Sequence, residues 1–231
     1  MVDLVSVQQN LSMLQGRIAR AAAACGRDAT AVRLVTVAKT QGVEAVRAAI
    51  QAGSLIVGEN YIQEARDKFD ALGSLPAQWH FIGHLQTNKA KYAVRMFDLI
   101  HTVDSEKLAA ELDKQARKTG KVQNILVQVN IGAETTKSGV APDQAIDLIR
   151  RIAGYENICV QGLMAMPPFF DAPERARPFF SALRKLRDRI QEEIPVPAQE
   201  LSMGMSGDFE VAIEEGATLV RIGTAIFGAR S

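Results

Sequence analysis

The chain has 231 residues, of which 47% are apolar and 23% charged, and a formal net charge of +1. This is the composition of an ordinary globular protein, and the small net charge predicts no binding to nucleic acid or anionic membranes. No stretch approaches the roughly 20 apolar residues of a membrane-spanning helix, and no compact apolar signal sequence begins the chain. Cys25 and Cys159 match no metal or redox motif, so we expect reduced thiols and a cytoplasmic location.

The predicted elements begin with an amphipathic helix within residues 1–26, where apolar residues recur at steps of three and four. Short β-branched runs then alternate with segments of helical spacing to the end of the chain. The predicted strands are residues 32–38, 55–57, 79–82, 99–103, 124–131, 158–164, 200–203 and 219–222. The predicted helices between them are residues 43–52, 61–72, 87–96, 105–119, 141–153, 174–193 and 209–215.

Eight apolar strands in strict alternation with helices indicate a parallel sheet covered by helices, and eight strands close a barrel. An open, doubly wound sheet is the alternative, but its first strand usually leads into a glycine-rich phosphate motif, and Lys39-Thr40-Gln41-Gly42 stands here instead. We therefore predict an α/β fold with a single (β/α)₈ barrel domain over residues 1–231. Few residues follow the last strand, so the N-terminal helix is expected to pack on the barrel in place of its final helix.

Polar residues gather where the predicted strands end, whereas the strand interiors are almost wholly apolar. In a barrel, the C-terminal ends of all strands share one rim, and binding sites lie there. The sequence therefore predicts a site at this rim. Its polar residues are expected to be Lys39, Asn60, His80, Asn130, Ser202, Ser206 and Arg221.

Lys39 follows an uncharged, apolar strand. Loss of hydration there would lower the pKa of its amine and leave a neutral nucleophile, as Schiff-base chemistry with an aldehyde requires. The alternative is a lysine that only extends past the rim into solvent. Position alone leaves both interpretations open.

The loops after strands seven and eight resemble each other in composition, with Ser206-Gly207 in one and Gly223-Thr224 in the other. Barrels commonly bind phosphate at these two loops through backbone amides, and the two hydroxyl groups would add donors. Ordinary helix caps with glycines in tight turns would explain the same residues. Asp208 would repel a phosphate unless its carboxylate faces away.

The three histidines, His80, His84 and His101, form no recognisable metal motif, so no metal site is predicted. No nucleophile elbow for Ser-His-Asp catalysis is present either. No catalytic residue is therefore assigned from the sequence.

Seven motifs follow one another in order from the first strand to the C-terminus. They are LVTVAKT (34–40), GENY (58–61), HFIGHLQTNK (80–89), KSG (137–139), GLMAM (162–166), SMGMS (202–206) and VRIGTAIFG (220–228). With these motifs the chain resembles the YggS/PROSC family of pyridoxal phosphate homeostasis proteins, which is related to the barrel domain of alanine racemase. The resemblance implies a fold-type III barrel that holds pyridoxal 5′-phosphate (PLP) as an aldimine on Lys39.

The resemblance also implies roles for the other rim residues. Ser206, Gly223 and Thr224 would hold the phosphate group with the amide of Gly207, and Arg221 would hydrogen-bond the pyridine nitrogen. Asn60 would lie close to the ring or its phenolic oxygen. The full predicted cofactor-binding set is Lys39, Asn60, His80, Met203, Ser206, Gly207, Arg221, Gly223 and Thr224.

An arginine facing the ring nitrogen keeps that nitrogen unprotonated, which makes the ring a weaker electron sink. Related racemases bring a tyrosine base from a second domain, and we expect this chain to lack such a domain. The expected function is therefore that of a carrier or regulator of PLP, a monomer or weak dimer whose partners are PLP and PLP-dependent apoenzymes. The alternatives are a small PLP-dependent racemase or decarboxylase, and a cofactor-free aldolase that uses Lys39. A role for Lys137 stays open.

Overall fold

The computed structural model of the chain describes residues 4–134 and 138–228. Within them, eight parallel strands close into a barrel in sequence order. The last strand pairs with the first, with Arg33 opposite Leu219 and Thr36 opposite Ile222. The predicted (β/α)₈ barrel is therefore confirmed, and the open-sheet alternative is wrong because an open sheet leaves its two edge strands unpaired.

The strands are β1 (Arg33–Val37), β2 (Ile56–Glu59), β3 (Gln78–Phe81), β4 (Leu99–Val103), β5 (Gln123–Gln128), β6 (Ile158–Met164), β7 (Glu200–Ser202) and β8 (Leu219–Ile222). The α-helices are α1 (Leu4–Ala24), α2 (Val43–Gln51), α3 (Ile62–Leu72), α4 (Ala90–Met96), α5 (Glu106–Lys118), α6 (Pro142–Ile152), α7 (Arg177–Glu193), α8 (Phe209–Glu214) and α9 (Thr224–Phe227). Short 3₁₀ turns occupy Ala29–Ala31, Thr87–Lys89 and Pro173–Ala176. No helix in the described ranges is long and apolar enough to cross a membrane.

Most predicted element ends lie within two residues of the structure, and three elements differ by three residues. The helix expected over residues 87–96 begins as the 3₁₀ turn Thr87–Lys89 and becomes α-helical at Ala90. The fifth strand was expected to reach residue 131, but it ends at Gln128. The Val129 amide still donates to the Met164 carbonyl oxygen of β6 at 2.8 Å, and after it the chain pairs with its own following loop, where the Asn130 amide donates to the Val140 carbonyl oxygen at 2.9 Å. The helix predicted over residues 174–193 begins as the 3₁₀ turn Pro173–Ala176 and becomes α-helical at Arg177.

Helix α1 packs against α2, α8 and α9 on the outside of the barrel. Its buried stripe contains Val7, Leu11 and Leu14, the residues that gave the helical periodicity in the sequence. The Asn10 side-chain amide also donates to the Ile226 carbonyl oxygen at 2.9 Å, which ties α1 to α9. Because α9 is only four residues long, α1 supplies most of the cover at this place on the barrel.

The inside of the barrel is filled by two kinds of side chain. A buried apolar cluster is formed by Val35, Ile56, Ile82, Leu99, Leu126, Met164 and Leu219, with Val37 and Met166 packed against it. Four buried polar side chains, His80, His101, Ser202 and Arg221, lie on β3, β4, β7 and β8. They connect the barrel interior to the site at its C-terminal rim.

Candidate functional site

A cavity of about 310 Å³ opens at the C-terminal ends of the strands. Seven of the nine predicted site residues line it: Lys39, Asn60, Ser206, Gly207, Arg221, Gly223 and Thr224. They come from β1, β2, β7 and β8 or the loops that follow, which closure of the barrel brings to one rim. The volume suits a small molecule.

Lys39 is half-buried at the end of β1. Apolar side chains form much of the rest of the wall, including Val37, Ile82, Met166 and Phe169. Phe169 projects from the loop after β6 and is 83% exposed, so it lies at the mouth of the cavity. Lys39 therefore lines a small chamber whose walls are mostly apolar.

The loop after β7 turns tightly at Met205, whose carbonyl oxygen accepts the amides of Asp208 at 3.1 Å and Phe209 at 3.0 Å. In the described part of the chain, the Ser206 and Gly207 amides have no protein acceptor. The carboxylate of Asp208 accepts the Met205 amide at 2.7 Å, and burial raises the pKa of that carboxyl group. Asp208 is thus held by its own loop, which weakens the objection that it repels an anion.

The loop after β8 has a similar arrangement. The Gly223 carbonyl oxygen accepts the amides of Ile226 at 2.9 Å and Phe227 at 3.0 Å, and the Thr224 amide has no acceptor among the described residues. Gly223 also lies close to β1, because a Cβ atom at this position would be 3.1 Å from the Val37 carbonyl oxygen. The two loops therefore offer unengaged amides and two hydroxyl groups, which is the donor set that binds phosphate.

Arg221 is buried at the inner end of the cavity. Its guanidinium group donates to the Ser202 Oγ atom at 2.6 Å and to the Ala165 carbonyl oxygen at 3.0 Å. It forms no salt bridge with any carboxylate in the described ranges, and burial lowers its pKa to about 10. A guanidinium group has five N–H donors, so this buried cation has donors to spare for an acceptor in the cavity.

Two histidines continue the hydrogen-bond chain that begins at Arg221. His101 Nδ1 lies 2.8 Å from Ser202 Oγ, and His101 Nε2 lies 3.0 Å from His80 Nδ1. Burial lowers the pKa of His101 well below its usual range and that of His80 to about 3, so both rings are neutral at neutral pH. Because β4 and β7 are not neighbours in the barrel, the bond from His101 to Ser202 crosses its interior.

The Arg221 bond favours one proton order along the chain. Arginine only donates, so the Ser202 oxygen is the acceptor of the Arg221 bond. Within the described structure the other partner of Ser202 is His101, so the hydroxyl hydrogen is used in a hydrogen bond only when it goes to His101 Nδ1. In that arrangement His101 carries its proton on Nε2 and donates it to His80 Nδ1. We therefore expect the Nε2 tautomer of His101.

Not every predicted residue reaches the cavity. His80 and Met203 are buried and do not line it, because His80 points into the barrel toward His101. Their role in cofactor binding stays a prediction. Asn130, expected on the rim, donates from its side chain to the Glu134 carbonyl oxygen at 2.8 Å and does not line the cavity. Lys137 lies outside the described residues.

Asn60 lines the Lys39 cavity and an adjoining cleft of about 550 Å³. Its backbone is packed tightly against Gly83, where a Cβ atom would lie 2.0 Å from the Asn60 carbonyl oxygen. Its Oδ1 atom is buried and has no hydrogen-bond partner within the described residues. A fixed polar atom without a partner at a cavity wall is suited to contact with a ligand.

Sequence reasoning did not identify His101 as a member of the hydrogen-bond chain behind the cavity. One feature of the sequence could have indicated it. His101 is two residues after Leu99 on β4, so both side chains point to the same face of the strand, and Leu99 belongs to the apolar cluster inside the barrel. The described residues also contain no group of three or more His, Cys, Asp or Glu side chains that could hold a metal ion.

Together, the fold and the cavity define a class of protein: a parallel barrel that presents a half-buried lysine and two amide-bearing loops at one small-molecule site. The sequence matches the family described as alanine racemase, N-terminal domain, over residues 2–231. The pyridoxal phosphate homeostasis protein of Aquifex aeolicus is 46% identical over 222 residues, which cover 96% of this chain and 97% of that protein. The protein of the same name from Pasteurella multocida is 40% identical over 229 residues, 98% of each chain.

Among solved structures, PipY of Synechococcus elongatus with PLP bound matches with a TM-score of 0.85 and 32% identity. The match covers 96% of this chain and 100% of PipY. The chain therefore belongs to the pyridoxal phosphate homeostasis proteins, within the alanine racemase N-terminal domain family. This confirms the resemblance drawn from the sequence motifs.

Proposed function

We propose that this protein binds PLP in the rim cavity, with Lys39 as its covalent anchor, and acts as a carrier or regulator of the cofactor in PLP homeostasis. One observation carries the proposal. A single cavity joins a half-buried lysine, two loops whose amides have no acceptor among residues 4–134 and 138–228, and a buried arginine without a carboxylate partner in the same ranges. These features match the aldehyde, the phosphate and the ring nitrogen of PLP.

The residues present fit this group. Lys39 provides the amine for the aldehyde, and the hydroxyl groups and amides of Ser206 and Thr224, with the Gly207 amide, provide donors for the phosphate. Bound PLP supplies an aldehyde that a lysine holds covalently and a ring that withdraws electrons from an attached amino acid. Asn60 contributes the polar atom that lacks a partner in the described structure.

Arg221 supports a carrier in preference to an efficient enzyme. A guanidinium group has no proton to give up at neutral pH, so it donates a hydrogen bond to the ring nitrogen and leaves that nitrogen unprotonated. The ring is then a weak electron sink. The titratable side chains that line the described cavity are Lys39, Asp208 and Arg221, and Asp208 is already bonded to the Met205 amide. Few groups are therefore placed to move a proton.

We extend the proposal to the partners expected from the sequence. PLP-dependent apoenzymes would receive the cofactor, and the protein would work in the cytoplasm as a monomer or weak dimer, without nucleic acid or membrane partners. The small PLP-dependent racemase or decarboxylase is the competing function. It differs in one measurable respect, because it requires turnover of an amino acid.

The test is the visible absorption of the purified protein, followed by borohydride reduction and peptide mass mapping. We expect a yellow protein with a pyridoxyl group fixed on Lys39, and loss of that label in Lys39→Ala. Lys107→Ala removes an exposed lysine on α5 and serves as the control. A protein that stays colourless and unlabelled after incubation with PLP contradicts the proposal and favours the cofactor-free aldolase. Turnover of amino acids by the loaded protein favours the racemase or decarboxylase.

A further inference from the structure

Lys39 lies in a tight turn with an unusual backbone. The turn runs from Ala38 to Gln41 and is closed by a hydrogen bond of 3.1 Å from the Gln41 amide to the Ala38 carbonyl oxygen. The positive φ angle falls on Thr40, at +64°, which is the sign pattern of a type II turn. That position favours glycine or asparagine, and a β-branched threonine is disfavoured there. Other contacts must therefore hold the turn in place.

Two charged residues on α3 hold the peptide groups on both sides of Lys39. Lys68 donates from Nζ to the Ala38 carbonyl oxygen at 2.6 Å, before Lys39 in the chain. Glu64 accepts the Thr40 amide at 2.9 Å, after it. Glu64 and Lys68 are one helical turn apart and their charged groups are separated by 3.7 Å. The same helix thus holds both ends of the dipeptide unit that carries the Lys39 side chain.

A third charged residue completes the cluster. Lys68 also donates to Glu59 Oε1 at 2.7 Å, and the two residues are 5% and 0% exposed. Desolvation raises the pKa of Glu59, and the nearby Lys68 opposes that rise. A buried ion pair is weak grounds for stability, since apolar residues of the same size often serve equally well. The hydrogen bond from Lys68 to the Ala38 carbonyl oxygen indicates another role for the pair, which is to orient the turn that carries Lys39.

We propose that Glu59, Glu64 and Lys68 are positioning residues that fix the Lys39 turn, so that the lysine amine enters the cavity where the aldehyde of PLP is held. None of the three lines the cavity, so they act through the turn. In the step they would serve, the neutral Lys39 amine would condense with the aldehyde of PLP: a C=N bond would form, and the aldehyde oxygen would leave as water with the two protons of the amine. The inference rests on the proposed binding of PLP at Lys39.

The experiment compares two ligands on Glu64→Ala and Lys68→Met. PLP depends on both the lysine and the phosphate loops, whereas pyridoxamine 5′-phosphate carries an amine in place of the aldehyde and depends on the loops and ring contacts alone. We expect the Kd for PLP to rise about tenfold or more in both variants, the size of one lost charge-assisted hydrogen bond. The Kd for pyridoxamine 5′-phosphate is expected to change by less than about threefold.

Two controls keep the outcome interpretable. Asp67→Ala removes a mostly exposed carboxylate from the same helix, and its ion pair is a 3.8 Å contact with Arg66, so it should leave both constants unchanged. Glu64→Gln keeps an oxygen that accepts the Thr40 amide and should restore PLP binding. Circular dichroism is used to check that each variant is folded. Glu64 is partly exposed, so Glu64→Ala should disturb the core less than Lys68→Met.

The possible results separate the two proposals. Unchanged PLP binding in Glu64→Ala and Lys68→Met, or an equal loss for both ligands, would overturn the positioning role while the proposed function stands. Failure of Glu64→Gln to restore binding would also count against it. A wild-type chain that binds pyridoxamine 5′-phosphate but forms no borohydride-stable label on Lys39 would overturn the proposed covalent anchor, and the positioning role with it.

Discussion

Replacing Ser202 by alanine removes one oxygen atom from the interior of the barrel and deprives two buried groups of a partner. The Arg221 guanidinium group loses the acceptor at 2.6 Å, and His101 Nδ1 loses the hydroxyl donor at 2.8 Å. Ser202 is fully buried, so water cannot easily replace the missing oxygen. Because alanine differs from serine only by that oxygen atom, the change tests the hydrogen bonds more than the packing.

The expected loss follows from those two groups. A buried polar group left without a partner costs about 1 to 3 kcal/mol, and a charged group costs more. The free energy of unfolding should therefore fall by about 4 kcal/mol, which corresponds to a Tm lower by roughly 8 to 16 °C for a chain of this length. Ser54→Ala is the matched control, because Ser54 is also buried but bonds a neutral hydroxyl, that of Thr36, at 2.7 Å. Its expected loss is about 1 kcal/mol.

Urea unfolding of the three proteins at pH 7.5 measures these losses, and ¹⁵N NMR of the histidine rings reports the proton order. In the wild type, His101 should carry its proton on Nε2, and in Ser202→Ala this tautomer should no longer be enforced. Equal losses of unfolding free energy in Ser202→Ala and Ser54→Ala would refute the argument, because the Arg221–Ser202–His101 chain would then stabilise the fold no more than a single neutral hydrogen bond does. So would a wild-type His101 protonated on Nδ1.

Two further predictions concern pH and the glycine loops. Because burial lowers the pKa of His80 to about 3 and that of His101 well below its usual range, the unfolded chain binds two protons that the folded barrel excludes as the pH falls below about 6.5. The free energy of unfolding should therefore fall on acidification by up to about 2.7 kcal/mol per pH unit because of this pair. In urea unfolding at a series of pH values, His101→Gln should show a shallower fall than the wild type. His84→Gln, which changes an exposed histidine, is the control and should follow the wild type. Gly223→Ala should lower both stability and PLP affinity, since its Cβ atom would lie 3.1 Å from the Val37 carbonyl oxygen. In Gly207→Ala the new Cβ atom would meet no atom within 4 Å, so the free energy of unfolding should change by no more than about 0.5 kcal/mol. Thermal unfolding and PLP titration of both variants check this, and equal destabilisation would contradict it.

The sequence alone was sufficient for the barrel and for most of the polar residues in the cavity wall. Strands and helices alternate with distinct periodicities, and most strand ends are marked locally by a polar residue or a glycine. Barrel topology then places the C-terminal ends of all strands on one rim, so Lys39, Ser206 and Thr224 could be grouped from the sequence. Local patterns carry this information because each depends on only a few consecutive residues.

Which face of a strand points inward was decided only by the tertiary structure. Parallel strands in a barrel are buried on both faces, so their sequences lack the alternation that distinguishes inside from outside. His80 was therefore expected on the rim, yet it lies within the barrel, bonded to His101.

Contacts between distant segments were equally hidden. His101 and Ser202 are 101 positions apart, and Lys68 reaches across 30 positions to the carbonyl group beside Lys39. Such contacts form only when the barrel closes and the helices pack on it, because strand register and helix orientation set which side chains meet. The sequence thus determined the elements and the rim, and tertiary packing determined the hydrogen-bond partners that hold Arg221 and Lys39 in place.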